Sequence, residues 1–170
     1  MAGHRRLVLM RHAKAEKHAG TDHERPLSSR GRRDAHAAGR LLAGRGDLPE
    51  LVLVSTSQRT RDTWDAVRSG MATDAEAWFD RSLYDAGARA VVELLGAVEP
   101  TVSSVLVIGH NPTVSTVAAA LSDGEAEPAL EDAVADGLAT AALACYDVPV
   151  DWVDVNARRL RLTHVDMPRG

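Results

Sequence analysis

Three short apolar runs constrain the fold more than anything else in this chain: Leu7-Val8-Leu9-Met10, Leu51-Val52-Leu53-Val54 and Val105-Leu106-Val107-Ile108. None alternates with polar residues. A strand with one wet face reads apolar, polar, apolar. An unbroken run instead marks a strand buried on both faces, as in a parallel sheet covered by helices. Helical patterns lie between the runs. Ser28 or Ser29 caps a helix expected to reach about Ala43, where Gly44 and Gly46 stop it. A second helix is expected over Gln58–Arg68 with Trp64 and Val67 inward, and a third over Ala88–Val98 with Val91, Val92, Leu94, Leu95 and Val98 as its apolar face. Asn111 as cap and Pro112 at the first helical position start a fourth, followed by Val114, Val117, Ala118 and Leu121 at helical spacing. After Gly137, Leu138–Tyr146 reads as another strand, and Arg159–Thr163 alternates like an edge strand with one exposed side. The pattern predicts an α/β layered fold with a mostly parallel sheet. With 170 residues and no internal repeat or linker, one domain over 1–170 is expected.

Composition removes several function classes. A net charge of −4 gives no general attraction to nucleic acid or anionic lipid. The basic stretch Met1–Arg6 is followed by an apolar run that stops at Met10, too short for a signal-peptide core or a membrane span, so a cytoplasmic location is expected. Cys145 is the sole cysteine, and its apolar neighbours over Thr140–Cys145 predict a buried structural thiol. His4, His18, His23, His36 and His164 show no metal-ligand spacing. No Gly-x-Gly-x-x-Gly follows a strand and no Gly-Lys-Ser/Thr loop occurs, so no nucleotide cofactor and no metal are expected. The stretch Ser122–Asp136 carries six acids and no base, and reads as a solvated connection.

In open parallel sheets, ligands bind beyond the carboxyl ends of the strands. Arg11 and His12 follow the first run, Arg59 follows the second near a helix start, and His110 follows the third at another helix start. Two arginines and two histidines thus converge on one sheet edge, where helix N-termini add free N–H groups and a favourable dipole. That set suits a tetrahedral phosphoryl group. Arginine pairs two oxygens at once and stays charged, and a neutral imidazole is a nucleophile near neutral pH. Phosphoryl transfer needs mostly positioning and charge neutralisation. Each piece alone is weak: Arg59, on a helix with Arg61, Asp62 and Asp65, also fits a solvated charged face, and His110 also fits a satisfied loop histidine.

Together the residues resemble a known family. Leu9-Met10-Arg11-His12-Ala13 is similar to the Arg-His-Gly signature of the histidine phosphatase superfamily, with Ala13 in the third position. Ser55–Thr63 resembles its Ser-x-x-x-Arg-Ala-x-x-Thr segment, and Gly109-His110-Asn111-Pro112 its second-histidine motif. Arg25-Pro26-Leu27-Ser28-Ser29-Arg30-Gly31 and Met167-Pro168-Arg169 resemble the short bacterial branch typified by the phosphohistidine phosphatase SixA. The resemblance implies a phosphoglycerate mutase-like three-layer α/β/α sandwich with an antiparallel edge strand. It also implies that His12 takes the phosphoryl group as phosphohistidine, that Arg11, Arg59 and His110 bind its oxygens, and that water then attacks the intermediate. Arg25 is a further substrate contact on this reading, or a loop arginine supporting the turn before the helix.

The protonating group is less defined. Asp85, with Asp80 behind it, lies where the family's mutases carry an acid, and also fits a capping role. An alkoxide leaving group needs a proton; an imidazole leaving from phosphohistidine needs less help. About fifty residues separate Arg59 from His110, leaving little chain for a lid. An open site favours a phosphorylated protein side chain as partner and is compatible with a monomer. A broader phosphomonoesterase for small metabolites and a non-catalytic phosphate-binding module on the same fold are the alternatives. The presence of both His12 and His110 argues against the module.

Overall fold

Each of the three apolar runs forms a strand, and three more complete the sheet. In the computed structural model, which describes residues 4–170, the strands are β1 (Arg5–Arg11), β2 (Leu51–Ser55), β3 (Glu76–Asp80), β4 (Ser104–Gly109), β5 (Leu143–Val148) and β6 (Arg161–Asp166). Residues 1–3 of the basic N-terminal stretch lie outside the described residues. The helices are α1 (Ser29–Arg45), α2 (Gln58–Met71), the single turn α3 (Ser82–Asp85), α4 (Ala88–Gly96), α5 (Thr113–Leu121) and α6 (Pro128–Ala135). The sheet order is β3-β2-β4-β1-β5-β6. β1 to β4 are parallel, while β5 runs antiparallel to β1 and β6 antiparallel to β5.

Alternation explains the unbroken apolar runs, because successive strand residues point to opposite faces. Leu7, Leu9, Leu53 and Val107 face one layer and pack with Val91, Leu95, Val117 and Leu121 of α4 and α5. Val8, Met10, Val52 and Ile108 face the other and pack with Ala38, Leu42, Trp64 and Val67 of α1 and α2. Both faces are covered, giving a three-layer α/β/α sandwich. No helix among the described residues is long and apolar enough to cross a membrane. Cys145 is buried against β1's neighbours, and burial pushes its thiol up to about 12.

Several boundaries differ from the sequence reading, each for a local reason. Ser28 caps α1 by accepting from the Gly31 N–H, but the helix runs past Gly44 and ends at Gly46, whose φ of 75° is left-handed. α2 continues through Gly70 to Met71. A Cβ at Gly70 would stand 2.2 Å from the His36 carbonyl oxygen of α1, so glycine is kept inside this helix because the two backbones touch. α5 begins at Thr113 instead of Pro112, and the Asn111 side-chain oxygen accepts from the Ser115 N–H and hydroxyl, one residue further on than a simple cap. The strand expected from Leu138 starts at Leu143. Residues 138–142 turn instead, and the Ala141 N–H reaches the Arg11 and His12 carbonyls at 3.2 Å each. The expected edge strand begins at Arg161 instead of Arg159, because the Arg159 and Leu160 N–H groups pair with the Leu121 carbonyl. The acidic stretch 122–136 holds the helix α6. Pro128 starts it, Val134 is buried, and Glu131 accepts from the Ser122 hydroxyl at 2.7 Å and the Ala126 N–H at 3.2 Å.

Candidate active site

β2, β4 and β1 are adjacent and parallel, so their carboxyl ends meet at one edge of the sheet. Arg11 closes β1 opposite Gly109 of β4, and the His12 N–H donates to the Gly109 carbonyl at 2.9 Å. Register alone therefore sets His12 beside His110: their ring centroids lie 5.3 Å apart. β2 ends at Ser55, whose hydroxyl lies 2.7 Å from His110 Nε2. Two residues on, Ser57 caps α2 and brings Arg59 into its first turn. The four residues singled out after the strands are thus gathered at one place.

The hydrogen bonds around them are directional. His12 Nδ1 lies 2.7 Å from the Ala13 carbonyl. A carbonyl only accepts, so Nδ1 carries the proton and Nε2 keeps its lone pair. The Ala13 N–H is held by Thr63 Oγ1 at 3.1 Å, and that hydroxyl donates to the Arg59 carbonyl at 2.6 Å, which ties the β1 end to α2. Arg11 Nη1 donates to the Leu138 carbonyl at 3.2 Å. Four buried side-chain polar atoms have no hydrogen-bond partner among the described residues, and three belong to this set: Arg11 Nε, Arg59 Nε and His110 Nδ1. Buried polar atoms are normally satisfied, so three unpartnered nitrogens in one cluster signal a site built for an external group.

Burial is the main cause holding both imidazoles neutral. It pulls His12 down to about 4, aided by the charges of Arg59, Arg11 and Arg25. It pulls His110 down to about 3, aided by His12 and Arg59.

The comparisons decide the family. The description of the histidine phosphatase superfamily, branch 1, matches residues 7–86, which hold Arg11, His12, Arg25 and Arg59. An uncharacterized protein of Mycobacterium tuberculosis is 35% identical over 94% of this chain and its own full length. A solved structure from Nakamurella multipartitia, named as a candidate phosphohistidine phosphatase SixA, is 34% identical, covers 98% of both chains and superposes with a TM-score of 0.83. The protein histidine phosphatase SixA complexed with tungstate is 27% identical, covers 96% of this chain and 97% of its own, and gives 0.78. The chain belongs to the histidine phosphatase superfamily.

Within this histidine phosphatase, the other two residues named from sequence fall differently. Arg25 lies at the rim, where its guanidinium donates to Asp22 Oδ1 at 3.0 and 2.9 Å and to the Glu16 carbonyl at 3.0 Å. Asp85 is not brought to the histidines. It ends α3, is half exposed and pairs with Arg81 at 3.2 Å. Asp80 is occupied as a turn cap, accepting from the Ser82 N–H and hydroxyl.

Sequence reasoning missed Asp22, Tyr84, His23 and Ser55. Asp22 lies in a short turn (Asp22–Glu24) before α1 and, besides the Arg25 bonds above, accepts from Arg59 and Tyr84. Its carbonyl accepts from Arg59 Nη1 at 2.7 Å, and its Oδ2 from Arg59 Nη2 at 3.1 Å and the Tyr84 hydroxyl at 2.9 Å. Those bonds, Tyr84's first, hold the Asp22 carboxyl down to about 2. Tyr84 stacks edge-on between His23 and His110, with ring centroids 4.8 and 5.5 Å away. An aromatic directly before the Asp85 candidate was the one signal available for it.

Proposed function

We propose that this chain is a metal-independent phosphatase that acts through a phosphohistidine on His12. The observation that carries the reading is the orientation of His12, whose Nδ1–H is fixed on the Ala13 carbonyl so that Nε2 offers its lone pair beside unpartnered Arg11, Arg59 and His110 donors. His12 Nε2 attacks phosphorus, the N–P bond forms, and the bond to the leaving group breaks with its electron pair. Arg11 and Arg59 neutralise the phosphoryl oxygens, and His110 Nδ1–H donates to one once an anion favours its protonated form. Water then attacks phosphorus, the N–P bond breaks, and phosphate leaves with His12 regenerated. The whole constellation lies in one domain over 1–170.

The substrate we infer is a phosphohistidine on a protein. Among the described residues, neither acid considered for the site is free to protonate a leaving group, which supports it. Asp22 is held near 2 and thus ionised, while Asp85 faces solvent with Arg81. An imidazole leaving group tolerates this best. The likeness to proteins named as SixA phosphohistidine phosphatases points the same way.

The test is a rapid acid-free quench of wild-type enzyme with labelled phosphohistidine substrate, followed by digestion. Label should sit on the His12 peptide and be released by acid. His12→Ala should lose turnover by at least about a thousandfold; retained activity in that variant would end the assignment. No group of three or more His, Cys, Asp or Glu able to hold a metal occurs among the described residues, so turnover in a strong chelator should match the untreated rate.

A further inference from the structure

A second feature lies away from the side chains gathered around His12. A groove of about 800 Å³ runs between the outer face of α1 and the last residues of the chain, lined by Arg32, Arg33, His36, Arg40, Leu41 and Arg169 among others. The chain as a whole carries −4, yet this groove gathers four arginines and a histidine. Their neutralisation is poor. Arg32 meets Asp62 at 3.0 Å, and Arg169 only approaches Asp34 at 3.9 Å, a carboxylate that is 3% exposed and shared with Arg30. Arg33 and Arg40, both exposed, meet no carboxylate within 4.0 Å among the described residues.

Spacing turns these cations into a track. Arg32, His36 and Arg40 recur every four residues and stand on one side of α1. The rise of an α-helix sets the ends of that row roughly 12 Å apart, which about four extended residues would span. Between the cations the surface is aliphatic, from Ala37, Leu41 and Pro168.

Both walls are anchored next to His12. The Ser28 N–H and hydroxyl, at the head of α1, bond the Lys14 carbonyl at 2.9 and 3.0 Å. On the other wall, Arg169 donates to the Thr140 carbonyl at 3.2 Å, and the next residue, Ala141, donates to the Arg11 and His12 carbonyls.

We infer that this groove holds an acidic, extended segment of the protein substrate while its phosphoryl group is bound at His12. The inference rests on the phosphoprotein reading above. An extended peptide with alternating acidic and apolar residues matches both the cations and the aliphatic floor. Single-stranded nucleic acid fits less well, because no Phe, Tyr or Trp lines the groove for a base to stack on. The contacts are solvent-exposed, so they raise encounter and affinity and leave the chemical step alone.

Two measurements test it. First, a short fluorescein-labelled peptide of alternating Glu and Leu, unphosphorylated, is titrated with the full chain and read by anisotropy. Arg33→Glu/Arg40→Glu should weaken binding about tenfold or more, and raising the salt to about 0.5 M should do the same to wild type. Second, kcat/KM is compared for one phosphohistidine peptide bearing either that acidic tail or a Gly-Ser tail. The acidic tail should help wild type about tenfold and the double variant not at all. Turnover of free phosphohistidine should be equal in both proteins, which also shows that the variant is folded. Phosphohistidine turnover with no benefit from the tail overturns the groove. So does an oligonucleotide of equal charge that binds more tightly than the peptide. Arginine-dependent peptide binding without phosphohistidine turnover instead removes the substrate reading and leaves an acidic-segment site standing.

Discussion

The proton on His12 Nδ1 has consequences that can be measured. On the proposed mechanism, with that hydrogen fixed on the Ala13 carbonyl, only Nε2 is free to bond phosphorus, and it can do so only while neutral. Burial holds the imidazole near 4, so the nucleophilic form persists well below the usual histidine range. The acidic limb of kcat/KM should therefore fall near pH 4 to 5 instead of 6.5; a limb at 6.5 would contradict the buried, charge-flanked setting. The same lowering acts on stability with a definite sign. Between about 6.5 unfolded and about 4 folded, the unfolded chain binds more protons at His12, so stability falls as pH drops through that window. His110, at about 3, adds to the loss in the same direction, and His110→Gln should flatten the acid-side decline of the melting temperature. Asp22 gives a separate prediction. Its carboxylate and carbonyl grip the two outer nitrogens of Arg59, so Asp22→Asn should lower kcat about tenfold without raising KM, because a negative charge beside an anionic substrate is removed as well. At this scale, the sequence disclosed residues that follow strand ends, where chain direction does the placing: His12, Arg59 and His110. It did not disclose Tyr84 or Asp22, whose roles depend on side chains meeting across 62 residues. Asp85, named as a possible general acid, faces solvent beside Arg81, while Tyr84 one position earlier packs against His110; one position on a helical turn is about 100° of rotation.

Between elements, α1 and α2 cross in close backbone contact in the layer beneath Arg59. A Cβ at Gly39 would stand 2.2 Å from the Val67 carbonyl oxygen, and one at Gly70 equally close to that of His36. Backbone cannot yield there as a flexible side chain would. Gly70→Ala should cost about 1–3 kcal/mol by overpacking, against the small gain alanine usually brings to a helix. In calorimetry this should lower the melting temperature by several degrees, and because α2 carries Arg59, kcat/KM should fall with it. Unchanged melting would mean the helices can separate freely. The strands were readable because each apolar run is interrupted by polar residues at both ends. The boundaries of α2 and β5 were not, because Gly70 and the 138–142 turn answer to partners far away in the chain: the backbone of α1 and the carbonyls after β1. α6 was hidden by its charge, since an acidic surface helix with one buried valine resembles a solvated loop in any pattern of apolar spacing.

Across the whole molecule, the sheet order decides what a fragment can do. β1 carries the signature residues, yet its two neighbours are β4 and β5. The family match over residues 7–86 includes Arg11, His12 and Arg59 but neither of those strands nor His110. A fragment limited to that span should show no cooperative melting by circular dichroism and no phosphatase activity. The antiparallel pairing of β5 has a further consequence, on the timescale of synthesis. Arg11 finds the Leu138 carbonyl, and β1 its second ladder, only with the last fifth of the chain. A ribosome adding about 5–20 residues per second keeps the earliest strand waiting roughly 7 to 26 seconds for β5. Until β4 emerges, Leu7–Met10 is an unpaired apolar segment, and until β5 emerges one edge of it stays open to chaperones and to other nascent chains. On the mechanism proposed above, the nucleophile emerges first and its surroundings are completed last, so a partly made copy is expected to turn over no substrate.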